Sequence, residues 1–205
     1  MDKALPRHLY EFAGAEPRLF PVFLKLSGRP VLLVGGGRVA AAKLDALLDG
    51  GAKVTLVSPE VRPELVRPGV TVKQRDFLPE DLDGAWLAIA AAPAKVNRLV
   101  AAAAEERHVF VNAIDDPAAG SAYTGGVFRR SGATIAVSTE GRAPALAGLL
   151  REALEYVLPE DLETWIAEAR ALRERQRAGG VPMNRRRPLL LEALNRLYAE
   201  KEPRT

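Results

Sequence analysis

The chain has 205 residues, 48% of them hydrophobic and 27% charged, which allows one large or two small domains and excludes wholesale disorder. Lys and Arg total 29 against 26 Asp and Glu, a formal charge of +3 with no long basic tract, so nucleic acid is not an expected partner. With no cysteine there can be no disulfide, thiolate metal site or cysteine nucleophile.

The first residues hold no continuous apolar stretch, and the longest apolar run, 85–94, is too short to cross a bilayer. No signal peptide and no membrane span are expected, and the expected location is cytoplasmic. Pro30-Val31-Leu32-Leu33-Val34 is an unbroken apolar run, the pattern of a strand buried on both faces. Gly35-Gly36-Gly37 follows, then a helical pattern with Ala40, Leu44, Leu47 and Leu48 on one face, closed by Gly50-Gly51. Lys53-Val54-Thr55-Leu56-Val57 is a second strand. Strand, glycine turn, helix and strand within about thirty residues make a βαβ unit and predict a parallel sheet. Val70-Thr71-Val72 and Trp86-Leu87-Ala88-Ile89-Ala90 add strands, 94–106 an Ala-rich helix, and Val109-Phe110-Val111 a last parallel strand.

The pattern changes after residue 115. Gly126-Val127-Phe128 and Ala133-Thr134-Ile135-Ala136-Val137 flank Arg129-Arg130-Ser131-Gly132, which reads as a hairpin connection. Pro144 opens a helix to Val157, and Leu158-Pro159 breaks it. A second helix carries Leu162, Trp165, Ile166, Ala169 and Leu172 on one stripe, and Gly179-Gly180 with Pro182 separates it from a short last helix around 189–198. The predicted fold class is therefore α/β. A Rossmann-like domain occupies residues 1–115, a small β segment 116–143 and a helical domain 144–205.

Gly35-Gly36-Gly37-Arg38-Val39-Ala40 fits G-x-G-x-x-A in its confirming context, after a strand and opening a helix. Gly35 permits the tight turn, Gly37 lets backbone approach a pyrophosphate, and Ala40 lets the helix pack on the sheet. The second strand ends in Ser58-Pro59-Glu60, where an acidic residue would hold a ribose hydroxyl. Ser58 can bond a ribose without repelling a 2′-phosphate, and Glu60 lies two residues late, so this turn does not by itself separate NAD from NADP. Beyond the last parallel strand come Asn112-Ala113-Ile114-Asp115-Asp116, carboxylates at the sheet edge where ligands bind. Asp115 there is either a general base or a turn former. Ser138 and Thr139 either cap the helix that follows or touch a substrate, and Arg142 can bind a carboxylate. No metal site is expected. His8 lies in the N-terminal stretch, and His108 stands roughly 20 Å of extended chain from Asp115.

Phe20-Pro21-Val22-Phe23-Leu24-Lys25-Leu26, Val31 to Ala40 with Lys43, Trp86 to Ala91, Val111 to Asp115, and Ile135 to Thr139 with Pro144-Ala145-Leu146-Ala147 together resemble the precorrin-2 dehydrogenase family of sirohaem synthesis. Members oxidise precorrin-2 to sirohydrochlorin with NAD⁺, and some also insert ferrous iron. The resemblance implies that Arg38, Val39, Pro59 and Glu60 contact NAD and that Asp115 is the catalytic aspartate. It also implies a homodimer built on the β segment and a helical cover for the tetrapyrrole. Ala92-Pro93 stands where many relatives have Thr then Asn or Asp, and Glu140 where many have glycine. On fold alone, a non-catalytic redox-sensing dinucleotide module would use the same βαβ unit.

Overall fold

The computed structural model describes residues 19–199; His8 lies outside them. The chain divides into two compact units, the first ending at Ala122 and the second beginning at Tyr123.

The first unit contains β1 (Pro30–Val34), α1 (Arg38–Asp49), β2 (Lys53–Val57), β3 (Val70–Lys73), β4 (Leu87–Ala90), α2 (Ala94–Glu106) and β5 (Phe110–Ala113). The five strands are all parallel, in the order β3-β2-β1-β4-β5. This is the Rossmann-like α/β arrangement predicted, with the strand order reversing between β1 and β4. Both sheet faces are covered, as the unbroken apolar runs require. Val31 and Leu33, with Leu56 and Ile89, pack under Ala40, Leu44 and Leu47 of α1. Leu32 and Val34, with Ala88 and Ala90, pack under Val100 and Ala104 of α2. Alternate residues of one strand thus serve two different helices. Each fully buried leucine in these layers stabilises the unit by about 1.5–3 kcal/mol.

Three short 3₁₀ turns, Pro63–Leu65, Pro79–Leu82 and Pro117–Ala119, were not evident in the sequence pattern. The second of them is anchored by Asp81. Its carboxylate accepts from Lys73 Nζ at 2.8 Å, from Arg75 Nη1 and Nη2 at 2.7 and 2.6 Å, and from the Leu78 N–H at 3.0 Å. Desolvation pushes this carboxyl up, but the Arg75 and Lys73 bonds outweigh it and hold it far below the usual carboxylate range. A carboxylate held low in the fold adds stability above its unfolded pKa of about 3.9 and loses it as the pH falls from there toward the folded value. Asp81→Asn is therefore expected to lower stability at neutral pH by about 1–3 kcal/mol. The gap to the parent should shrink below about pH 4, which thermal unfolding at neutral pH and at about pH 3 would reveal.

The second unit contains β6 (Gly126–Arg130), β7 (Ala133–Val137), α3 (Pro144–Val157), α4 (Leu162–Ala178) and α5 (Met183–Ala199). β6 and β7 form the predicted antiparallel hairpin, paired from Gly126↔Val137 to Arg130↔Ala133. α3 packs on both strands. The last helix is longer than expected. It begins at Met183, directly after Pro182, and continues through Pro188. Proline ends helices by removing a donor and crowding the preceding turn, but here packing on α4 prevails. Gln176 on α4 donates to the Arg186 carbonyl at 3.4 Å, and Arg186 Nε donates to the Val181 carbonyl at 2.9 Å. The triple arginine 185–187 lies in the first part of this helix.

Candidate functional site

The carboxyl ends of β1, β2 and β4 open on a cavity of about 1050 Å³. Gly35, Gly36 and Gly37 line it, as do Ser58, Pro59, Glu60 and Arg62 on the β2 side and Ala91, Ala92, Pro93 and Lys95 on the β4 side. This is the crevice at the strand-order reversal where an open parallel sheet binds its ligand.

The three glycines have three different reasons to be glycine. Gly35 has φ +119°, and a Cβ on it would lie 2.2 Å from the Ala91 carbonyl oxygen, so this turn is pressed against the β4 exit. A Cβ on Gly36 would lie 1.9 Å from the Glu60 carbonyl oxygen. The Arg62 N–H donates to the Gly36 carbonyl at 3.1 Å, and the Ser58 hydroxyl donates to the Glu60 carbonyl at 2.7 Å. The glycine turn and the 58–62 turn are thus interlocked. Gly36 is the middle position of the motif, which sequence reasoning leaves unconstrained; its requirement comes from a carbonyl 24 positions away.

Gly37 differs. Nothing in the protein lies within 4 Å of its missing Cβ, so the bare position serves something other than internal packing. It is the N-cap of α1, with no side-chain cap, and the first turn carries no acidic residue. The free N–H groups and positive end of that helix face the requirement of a pyrophosphate. Ala40 is completely buried and brings α1 close to the sheet. Together the open Gly37, the uncapped helix start and the size of the cavity fit a dinucleotide. Arg38 and Val39 begin α1 and are exposed at its surface rather than in the cavity wall. Ser58 is buried in that wall, and Pro59 and Glu60 are exposed at its rim.

One strand over, about 5 Å away in the sheet, β5 ends beside β4. Ala90 pairs with Ala113, and the Ile114 N–H donates to the Ala90 carbonyl at 2.9 Å. Asp115 follows with φ +60°, a left-handed conformation that aspartate tolerates better than most residues. Its side chain is exposed and lies outside the dinucleotide cavity. Asp116 is partly buried and pairs with Arg98 at 3.3 Å. Asn112 is buried, and its Nδ2 donates to the Ala122 carbonyl at 2.9 Å, which ties the end of β5 to the chain that follows. Two structural residues had no sequence signal. Asp81 is described above. Asn97 of α2 is buried, accepts from the Ala92 N–H and donates to the Ile114 carbonyl.

In the second unit, Ser138 Oγ accepts from the Glu140 N–H at 3.1 Å and Thr139 Oγ1 from the Ala143 N–H at 3.2 Å. These bonds shape the turn into α3. Glu140 has φ +58°, a conformation glycine adopts freely. Arg142 is exposed and pairs with Glu140 at 3.5 Å. His108 sits in the turn before β5 with φ +55°, at the sheet's opposite end from Asp115. Among the described residues no three His, Asp or Glu side chains are grouped as metal ligands, and no helix is long and apolar enough to cross a membrane.

Residues 22–126 match the family described as "Putative NAD(P)-binding". The chain is 42% identical over 172 residues to Siroheme synthase 3 of Aeromonas hydrophila subsp. hydrophila, covering 82% of this chain and 37% of that protein. It is 40% identical over 184 residues to Siroheme synthase of Photorhabdus laumondii subsp. laumondii, covering 87% and 39%. The chain thus spans little more than a third of the length of these relatives. The solved structure of SirC, precorrin-2 dehydrogenase, matches with a TM-score of 0.64 and 27% identity, covering 85% of this chain and 88% of that one. The chain belongs to this NAD(P)-binding family and is a relative of the siroheme synthases and of precorrin-2 dehydrogenase.

Proposed function

We propose that the chain is an NAD-dependent precorrin-2 dehydrogenase that forms sirohydrochlorin. The observation that carries this reading is the match to SirC, precorrin-2 dehydrogenase, which extends over 88% of that chain rather than over the dinucleotide fold alone. Oxidation of precorrin-2 removes a hydride and a proton. When bound, the nicotinamide supplies the hydride acceptor. The glycine turn and the α1 N-terminus hold the pyrophosphate, Ser58 and Glu60 hold the ribose, and the Asp115 carboxylate takes the proton. Asn112, Ser138, Thr139 and Arg142 are the residues we assign to substrate contact. Purified protein with precorrin-2 and NAD⁺ should give the sirohydrochlorin spectrum and NADH in equal amounts. Neither product appearing would overturn the reading.

Glu60 gives the site its preference for NAD, because a carboxylate at the rim repels a 2′-phosphate. Glu60→Ala is expected to raise the use of NADP⁺ relative to NAD⁺, by about tenfold if the full repulsion of roughly 1.4 kcal/mol is relieved. An unchanged ratio of kcat/KM values would show that Glu60 points away from the ribose.

The functional division we assign is cofactor binding by residues 1–115, dimerisation by 116–143 and substrate cover by 144–205, with the cytoplasm as the place of work. A two-stranded hairpin is marginal alone, and β6 leaves the apolar side chain of Val127 exposed. A two-fold partner would cover such surfaces. Light scattering at micromolar concentration is expected to give twice the chain's 22.1 kDa, and a monomer would remove the proposal.

A further inference from the structure

Asn97 is 2% exposed on a face of α2 otherwise made of Val100, Ala101 and Ala104. An amide in such a layer costs stability unless both its ends are bonded. Both are. Oδ1 accepts from the Ala92 N–H at 2.9 Å, and Nδ2 donates to the Ile114 carbonyl at 3.2 Å. The first bond reaches the wall of the dinucleotide cavity, which Ala92 lines. The second reaches the peptide that joins Ile114 to Asp115. Asp115 holds φ +60°, a left-handed conformation that aspartate tolerates better than most residues and that fixes the direction in which the turn leaves β5.

A valine or alanine would fill this place at lower cost if packing were the only demand. We infer that Asn97 is a positioning residue, which sets the Asp115 turn against the β4 wall of the dinucleotide site so that carboxylate and cofactor keep one separation. The inference rests on the reading of Asp115 as the proton acceptor. Two planar hydrogen bonds from one amide make a short, stiff link between loops one strand apart. Displacement of a reacting group by about 1 Å can cost as much as 10²-fold in rate.

The test is Asn97→Leu, close in size and without donor or acceptor, with Asn97→Ala beside it. Thermal unfolding reports that each variant is folded, and NAD affinity reports the cofactor site, whose glycine turn and 58–62 turn are untouched. The expected result is a kcat for precorrin-2 lowered about tenfold or more, a Kd for NAD changed by about twofold or less, and faster amide exchange at residues 114–116. A parental kcat in either variant overturns the inference. So does a loss of NAD affinity that matches the loss of turnover, because that would describe general damage to the fold. Parental turnover in Asp115→Asn would instead overturn the reading of Asp115, whatever Asn97 does, so the two failures are distinguishable.

Discussion

Asp115→Asn and Asp115→Ala are each expected to lower the rate of sirohydrochlorin formation by about 10² or more, the usual scale for loss of a general base. Both variants are needed because of the backbone. At φ +60° asparagine is as comfortable as aspartate, whereas alanine meets the left-handed penalty. The asparagine variant therefore removes the charge alone, and the alanine variant adds a small loss of stability. NAD affinity should stay near parental in both, since the glycine turn lies two strands away across β4. Asp116→Ala should be much milder, because that carboxylate is engaged with Arg98. Measurement of turnover and NAD affinity for all three decides the matter. Near-parental turnover in the asparagine variant would make Asp115 a former of the turn and no more.

The second large effect separates two neighbouring glycines. Gly36→Ala places a methyl group 1.9 Å from a backbone oxygen that cannot retreat without opening the 58–62 turn. The expected cost is about 1–3 kcal/mol of stability, with NAD binding lost as the two turns part. Gly37→Ala has open space around its Cβ, and its φ of −95° suits any residue. Its stability should stay within about 0.5 kcal/mol of the parent, while NAD binding weakens about tenfold or more as the methyl group meets the pyrophosphate, a loss of roughly 1.4 kcal/mol. Thermal unfolding and NAD titration of the pair check both halves. Equal destabilisation by both substitutions would contradict the different roles assigned to them.

The first unit was legible in the sequence because its signals are local. An apolar run flanked by glycines, such as 30–37, states strand and turn without help from elsewhere, and the layers under α1 and α2 follow from alternation along β1. The hairpin 126–137 was legible for the same reason. The last helix was legible only over 189–198, after the break at Gly179-Gly180 and Pro182; its first turn and a half, from Met183 through Pro188, has no apolar pattern of its own and is held by contact with α4. Asn97 and Asp81 were invisible for a related reason. A single asparagine in an alanine-rich helix has no pattern of its own, and its partners are backbone groups at positions 92 and 114. Asp81 draws its meaning from two cations on the preceding strand and turn. Asp115 could be found as a carboxylate at the right sheet edge, but its left-handed backbone could not.

The interlocked glycine and 58–62 turns limit how the cofactor preference of this chain can be redesigned. Side chains at 60 and 62 project from a turn whose backbone is clasped on one side by the Arg62 to Gly36 bond and on the other by the Ser58 to Glu60 bond. Exchange of those side chains leaves the clasp intact. Insertion or deletion within the turn would move the Glu60 carbonyl off the bare face of Gly36 and with it the start of α1. A library intended to trade one dinucleotide for the other should therefore vary chemistry at constant loop length, and transplants of longer ribose loops from other proteins should fail at the phosphate end of the site rather than at the ribose.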